Sequence, residues 1–127
     1  MIIGLDHAHF LCGDVEKAAK YFAQVFDGRE VSRNVLRGFS VVRMDVKGTT
    51  VALMGTDPAA VQLEPGKGKK GLDHLGFRVK EIEATVKDLQ VKGAEIEIPV
   101  TSTPYGVKYA FVKGPDGIRI ELVERSD

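Results

Sequence analysis

The 127 residues, 43% hydrophobic and 28% charged, amount to one domain's worth of chain with ordinary soluble globular composition. Eighteen basic residues balance eighteen acidic ones, so no overall field draws the protein to nucleic acid or to an anionic membrane. No apolar stretch is long enough to span a bilayer, Met1-Ile2-Ile3 has no signal-peptide pattern, and the single Cys12 forms no internal disulfide; a reducing cytoplasm is the expected setting.

A strand is expected from about residue 2 to residue 12, with Leu5, His7, His9 and Leu11 on one face and Asp6, Ala8, Phe10 and Cys12 on the other. That phase makes Cys12 buried filler rather than a nucleophile. Asp14 is an N-cap, and Val15, Ala18, Ala19, Phe22, Val25 and Phe26 recur at helical spacing up to a stop at Gly28. Residues 29–36 and 39–46 read as strands around Arg37-Gly38, and Lys47-Gly48 turns the chain into a third strand over 49–54. Residues 56–70, rich in proline, glycine and lysine, form a linker, and its Lys67-Gly68-Lys69-Lys70 run reads as solvated.

The pattern then starts again. A strand over about 72–79 leads to a helix with Glu81 in the capping position and Ile82, Val86 and Leu89 as its buried stripe, closed by Gly93. Residues 94–100 form a strand, 101–106 a loop, and 107–113 and 118–124 the last two strands, joined by Gly114-Pro115-Asp116-Gly117.

Gly4-Leu5-Asp6-His7 returns letter for letter as Gly71-Leu72-Asp73-His74, and each copy leads into the same series of elements. The fold class is therefore α+β, a duplicated βαβββ unit, with module one over 1–55, the linker over 56–70 and module two over 71–127. Laying one module on the other sets Ala52 opposite Glu121. Ile118, Ile120 and Leu122 take the apolar face of the last strand, so Glu121 projects onto the polar face, as His7 and His74 do. Two imidazoles and a carboxylate are a donor set for a divalent ion of borderline hardness with positions open to water or substrate.

Those motifs, with Gly13-Asp14-Val15-Glu16-Lys17-Ala18 and Gly114-Pro115-Asp116-Gly117-Ile118-Arg119-Ile120-Glu121-Leu122, resemble the vicinal-oxygen-chelate superfamily over nearly the whole chain. The superfamily includes glyoxalase I, methylmalonyl-CoA epimerase, extradiol dioxygenases, fosfomycin-resistance transferases and bleomycin-binding proteins. The resemblance implies paired βαβββ modules, each a curved mixed sheet with one helix on its outer face, whose concave faces hold one divalent metal ion (Ni, Co, Zn, Mn or Fe). It also implies His7, His74 and Glu121 as ligands and a homodimer acting on a small molecule. Glyoxalase I and the epimerase usually carry a fourth ligand at the position of Ala52, for which His9, Gln62 and Glu64 are the substitutes to consider. Extradiol dioxygenases tend to carry a tyrosine ten residues before the last ligand; Phe111 stands there, with Tyr109 nearby on the same face.

The expected chemistry is proton transfer on a substrate chelated through neighbouring oxygens, as in an isomerase, epimerase or lyase. Glu121 would carry the proton with help from His9 or Tyr109, while Phe111 and Ala52 line the pocket. Arg33, Arg37, Arg78 and Arg119 are the candidate anchors for a substrate anion. An extradiol ring-cleaving dioxygenase with a His-His-Glu iron site and a small-molecule-binding resistance protein are the alternatives.

Overall fold

Helix α1, Val15–Phe26, organises the first half of the chain in the computed structural model, which describes residues 1–126. Asp14 caps it, its Oδ1 accepting the Lys17 amide at 3.0 Å, and all six apolar positions of the sequence pattern are buried. The left-handed residue at its end is Asp27 (φ 55°). Gly28 closes the helix end, donating its amide to the Phe22 carbonyl at 2.8 Å, and a Cβ there would lie 2.9 Å from that oxygen.

Strands β1 (Ala8–Cys12), β2 (Arg29–Leu36), β3 (Phe39–Val46) and β4 (Thr49–Gly55) form one sheet in the order β1-β4-β3-β2, with β1 parallel to β4 and the rest antiparallel. Arg37-Gly38 and Lys47-Gly48 both take positive φ at their two positions, the geometry that matches the twist of a two-residue hairpin. Helix α1 lies against β2, β3 and β4 over a core of Cys12, Phe22, Val42, Met44, Val46, Val51 and Leu53.

The second half repeats the plan with β5 (Leu75–Arg78), α2 (Ile82–Val91), β6 (Glu95–Ser102), β7 (Val107–Lys113) and β8 (Arg119–Arg125), in the order β5-β8-β7-β6. Again the first strand is parallel to the last and the remaining pairs are antiparallel. Ile82, Val86 and Leu89 are the buried stripe of α2. The chain thus resolves into two units, Met1–Val61 and a second beginning at Gln62. Among the described residues no helix is long and apolar enough to cross a membrane.

Four expectations need correction. The strand expected from residue 2 begins only at Ala8, and Ile2, Ile3 and Leu5 are almost fully exposed. The parallel register explains most of it: Ala8 faces Val51, so Leu5 and the residues before it would run past the start of β4, Thr49, into the Lys47-Gly48 turn. The same shortage of partner delays β5 from residue 72 to Leu75, which faces Ile120 just inside β8. Glu81 holds the N-cap position of α2 but its side chain makes no cap; it is left-handed (φ 51°), and the Ile82 amide is taken at 2.6 Å by Glu124 of β8. Strand β6 runs on to Ser102, so only 103–106 is loop, and its ladder shifts register on either side of Ile98, where an edge strand tolerates Pro99.

One consequence of α1 packing is measurable. The Tyr21 ring stands edge-on to Phe22 at 5.5 Å, and burial pushes its phenol well above the usual tyrosine range. A raised folded-state pKa contributes stability that is present below the unfolded value near ~10 and is lost as pH rises above it. Urea midpoints measured from neutral pH into the alkaline range should fall more steeply in the native protein than in Tyr21→Phe.

Candidate metal centre

His74 sits one residue before β5, opposite the start of β8. Its Nδ1 is 2.7 Å from Asp73 Oδ2, which assigns the ring proton to Nδ1 and leaves Nε2 with its lone pair free. Nε2 is 3.7 Å from Glu121 Oε2, too far for a hydrogen bond. An ion bonded to each donor at ~2.1 Å bridges any separation below ~4.2 Å. This pair therefore fits a divalent cation.

Glu121 reaches that position because its neighbours allow it. In the sheet it lies between Gly76 on β5 and Phe111 on β7. A Cβ at Gly76 would stand 3.6 Å from Glu121 Oε1, so a longer side chain there would contest the carboxylate's space. Phe111 packs edge-on against the His74 ring, with centroids 5.0 Å apart, and Tyr109 stands edge-on to Phe111 at 6.0 Å. The wall beside the donors is thus a phenyl ring without a hydroxyl.

Arg119, expected as an anchor for substrate, is engaged by the protein itself. Its Nη1 donates to Asp73 Oδ2 at 2.6 Å, its Nε to Glu97 at 3.1 and 3.2 Å, and its guanidinium lies 4.3 Å over the Phe111 ring. Asp73 also accepts the Gly66 amide at 2.7 Å, and at Gly66 (φ 78°) a Cβ would crowd the guanidinium at 3.1 Å. The hydrogen bond from His74, then that from Gly66, holds the Asp73 carboxyl below the ordinary aspartate range. The sequence reading missed Asp73, Glu97 and Gly66. Only Asp73 left a signal, because the aspartate is repeated along with the histidine.

The first unit carries the same dyad in a looser form. His7 Nδ1 is 2.7 Å from Asp6 Oδ2, and that bond lowers the Asp6 pKa. Asp6 is 86% exposed against 45% for Asp73. Thr50, the repeat equivalent of Arg119, has no guanidinium to bridge it. His7 and His9 have ring centroids 6.0 Å apart, and His9 lies beside Ala52 in the β1–β4 register. Ala52 is fully buried, with Arg43 of β3 on its other side.

Of the remaining candidates, Arg78 ends β5 with its side chain exposed, Glu64 pairs with Lys69 at 3.3 Å, and Gln62 packs its amide against Gly117. Arg33 is clasped by Glu16 and Glu30 on the exposed surface, and Arg37 is in the β2–β3 turn. Among the described residues no group of three or more histidine, cysteine, aspartate or glutamate side chains is gathered closely enough to hold an ion.

Relatives match the chain over nearly its whole length. YwkD of Bacillus subtilis (strain 168), an uncharacterized protein, is 24% identical over 98% of this chain and 99% of its own length. A glyoxalase family protein from Enterococcus faecalis superposes with a TM-score of 0.82 at 20% identity, covering 95% of this chain and 97% of that one. The fosfomycin resistance protein FosX from Listeria monocytogenes, as a single-substitution variant complexed with Mn(II) and 1S,2S-dihydroxypropylphosphonic acid, gives 0.75 at 19% identity, covering 99% of this chain and 93% of that one. The superfamily model, which takes in metalloproteins of this kind, matches residues 4–122. With that match spanning both repeats, the chain belongs to the Glyoxalase/Bleomycin resistance protein/Dioxygenase superfamily.

Proposed function

We propose that the protein is a metal-dependent enzyme that holds a small substrate through two neighbouring oxygens and moves a proton at the adjacent carbon. The ligands of the ion include His74 and Glu121. The observation that carries this reading is the 3.7 Å gap between His74 Nε2 and Glu121 Oε2, with Nδ1 already occupied by Asp73. A bound divalent ion supplies Lewis acidity, drawing electron density from the two substrate oxygens and acidifying the C–H beside them.

The chain's own groups do the rest. Glu121 Oε1, the carboxylate oxygen nearer the open space above Gly76, takes the proton and returns it. Phe111 forms an apolar wall that keeps water from the reacting carbon, and Tyr109 extends that wall along β7. Asp73, fixed by Arg119 and Gly66, keeps His74 in one tautomer and one orientation. Phe111 disfavours ring-cleaving dioxygenase chemistry, because it offers no hydroxyl where a tyrosine would stand.

Exposed Val31, Val35 and Leu36 on the edge strand β2 support a homodimer, and the single buried Cys12 suits a reducing cytoplasm. Light scattering is expected to give twice the 13.8 kDa chain mass and to move toward one chain mass in Val35→Lys.

The test is elemental analysis of the purified protein, followed by proton NMR of small 2-hydroxy and 2-oxo carbonyl compounds in D2O. The expected result is about one divalent ion per chain and deuterium incorporation beside the carbonyl that disappears in Glu121→Gln. Oxygen uptake on catechols would assign the dioxygenase instead. Tight ligand binding by protein that takes up no metal would assign a sequestering protein.

A further inference from the structure

One row of paired positions crosses the sheet of the first unit: His9 on β1, Ala52 on β4, Arg43 on β3 and Ser32 on β2. The row lies on the face turned away from α1, because Val42, Met44, Val51 and Leu53, which alternate with it, are the residues buried under the helix. The matching row of the second unit is Gly76, Glu121, Phe111 and Ile98. Where that unit sets a phenyl ring beside its last strand, the first sets a guanidinium.

Arg43 is half-buried in apolar company. Its neighbours on the same face include Val41, Ala52 and Met54, all buried. The carboxylates that could neutralise it are committed elsewhere: Asp45, two residues along β3, accepts the Gly48 amide at 3.0 Å and lies 3.7 Å from Arg29, and Asp6 is held by His7 at 2.7 Å. Arg43 is the weakest of the influences on Asp6. Among the described residues Arg43 makes no hydrogen bond and no ion pair, so its whole fork of N–H donors is open. Arg33 and Arg119, by contrast, are each held by two carboxylates. A solvated head on a stem laid over apolar surface is the bland reading of Arg43. It accounts for the half-burial but not for the company along the row. Strands are spaced by ~4.8 Å, so Ser32 stands one spacing from Arg43 and His9 two, across the single methyl group of Ala52. Both are exposed, and neither makes a hydrogen bond among the described residues.

We infer that Arg43 anchors an anion-binding site on this face of the first unit, one that takes the carboxylate or phosphate group of a small organic molecule, with Ser32 and His9 as flanking donors. A guanidinium grips either group through two parallel N–H···O bonds and keeps its charge throughout the ordinary pH range. The site uses residues of one unit alone, and it stands independently of an ion at His74 and Glu121.

The test is a titration of isotope-labelled protein with benzoate and with phenyl phosphate, followed by nuclear magnetic resonance through the backbone amides of β3 and β4 and the arginine Nε–Hε signals. Benzamide is the neutral control. We expect saturable movement of the Arg43 signal with at least one of the two anions and none with benzamide. Affinity should fall by about 10–100-fold in Arg43→Gln and by about 3–10-fold in Arg43→Lys, which keeps the charge but loses the fork, and should stay unchanged in Arg33→Gln. The anion that binds more tightly names the group the site prefers. Circular dichroism checks the fold of each variant, and Arg43→Lys decides alone if Arg43→Gln does not fold. Binding as tight in a folded Arg43 variant as in the native protein, equal binding of benzamide, or no saturation by either anion overturns the assignment.

Discussion

Replacing His74 by alanine is expected to lower divalent-metal affinity by about two orders of magnitude or more while leaving the fold intact. Structural metal sites draw about 10–16 kcal/mol from four ligands, or ~3 kcal/mol per ligand, and each 1.4 kcal/mol is about tenfold. His74 is an efficient ligand because little remains to be ordered on binding: Asp73 fixes its tautomer at 2.7 Å and Phe111 fixes its ring plane. It is also one-third exposed, so its removal leaves no buried cavity. Chelator competition gives the affinity and far-ultraviolet circular dichroism reports the fold. Equal affinity in the variant would remove His74 from the site. Asp73→Asn tests the layer behind it, since it keeps the size of the side chain and discards the charge that His74 and Arg119 share. A loss of about 10–100-fold is expected there, smaller than for His74→Ala.

Much of this fold could be read from local chemistry. The β2–β3–β4 meander followed from Arg37-Gly38 and Lys47-Gly48, because two adjacent positive-φ residues specify a tight hairpin wherever they occur. The stripes of α1 and α2 followed from helical periodicity. The misplaced boundaries lay where the outcome depends on a partner distant in sequence. Nothing near Ile2 or Leu72 tells that β4 and β8 start too late to pair with them. Nothing near Glu81 tells that Glu124, at the far end of the module, will take the first amide of α2.

The site divides along the same line. His74 and Glu121, which the fold brings within 3.7 Å of each other, could be paired by laying one repeat on the other. The clasp of Arg119 by Asp73 and Glu97 is a product of register: Glu97 on β6 and Asp73 ahead of β5 reach the guanidinium only once β8 lies in the sheet with β5 on one side and β7 on the other. A lone arginine in the sequence looks like an anion anchor. In the folded unit two carboxylates already hold it, and its work is to position Asp73.

Phe22→Ala is expected to destabilise the protein by about 3–5 kcal/mol, a large part of the 5–15 kcal/mol typical of a domain this size. Phe22 is the largest fully buried side chain of the first unit. It meets Tyr21 edge-on at 5.5 Å and Phe26 at 6.2 Å, on a helix whose other buried residues include Ala18 and Ala19, too small to close over a void. The cost therefore includes both the lost transfer energy of the ring and the cavity it leaves. Val35→Ala is the control: its side chain is 70% exposed on β2, and a change within about 0.5 kcal/mol is expected. Guanidinium unfolding at about 15 °C, near the temperature of maximum stability, measures both variants; an equal change in the two would take Phe22 out of the load-carrying core of the first unit.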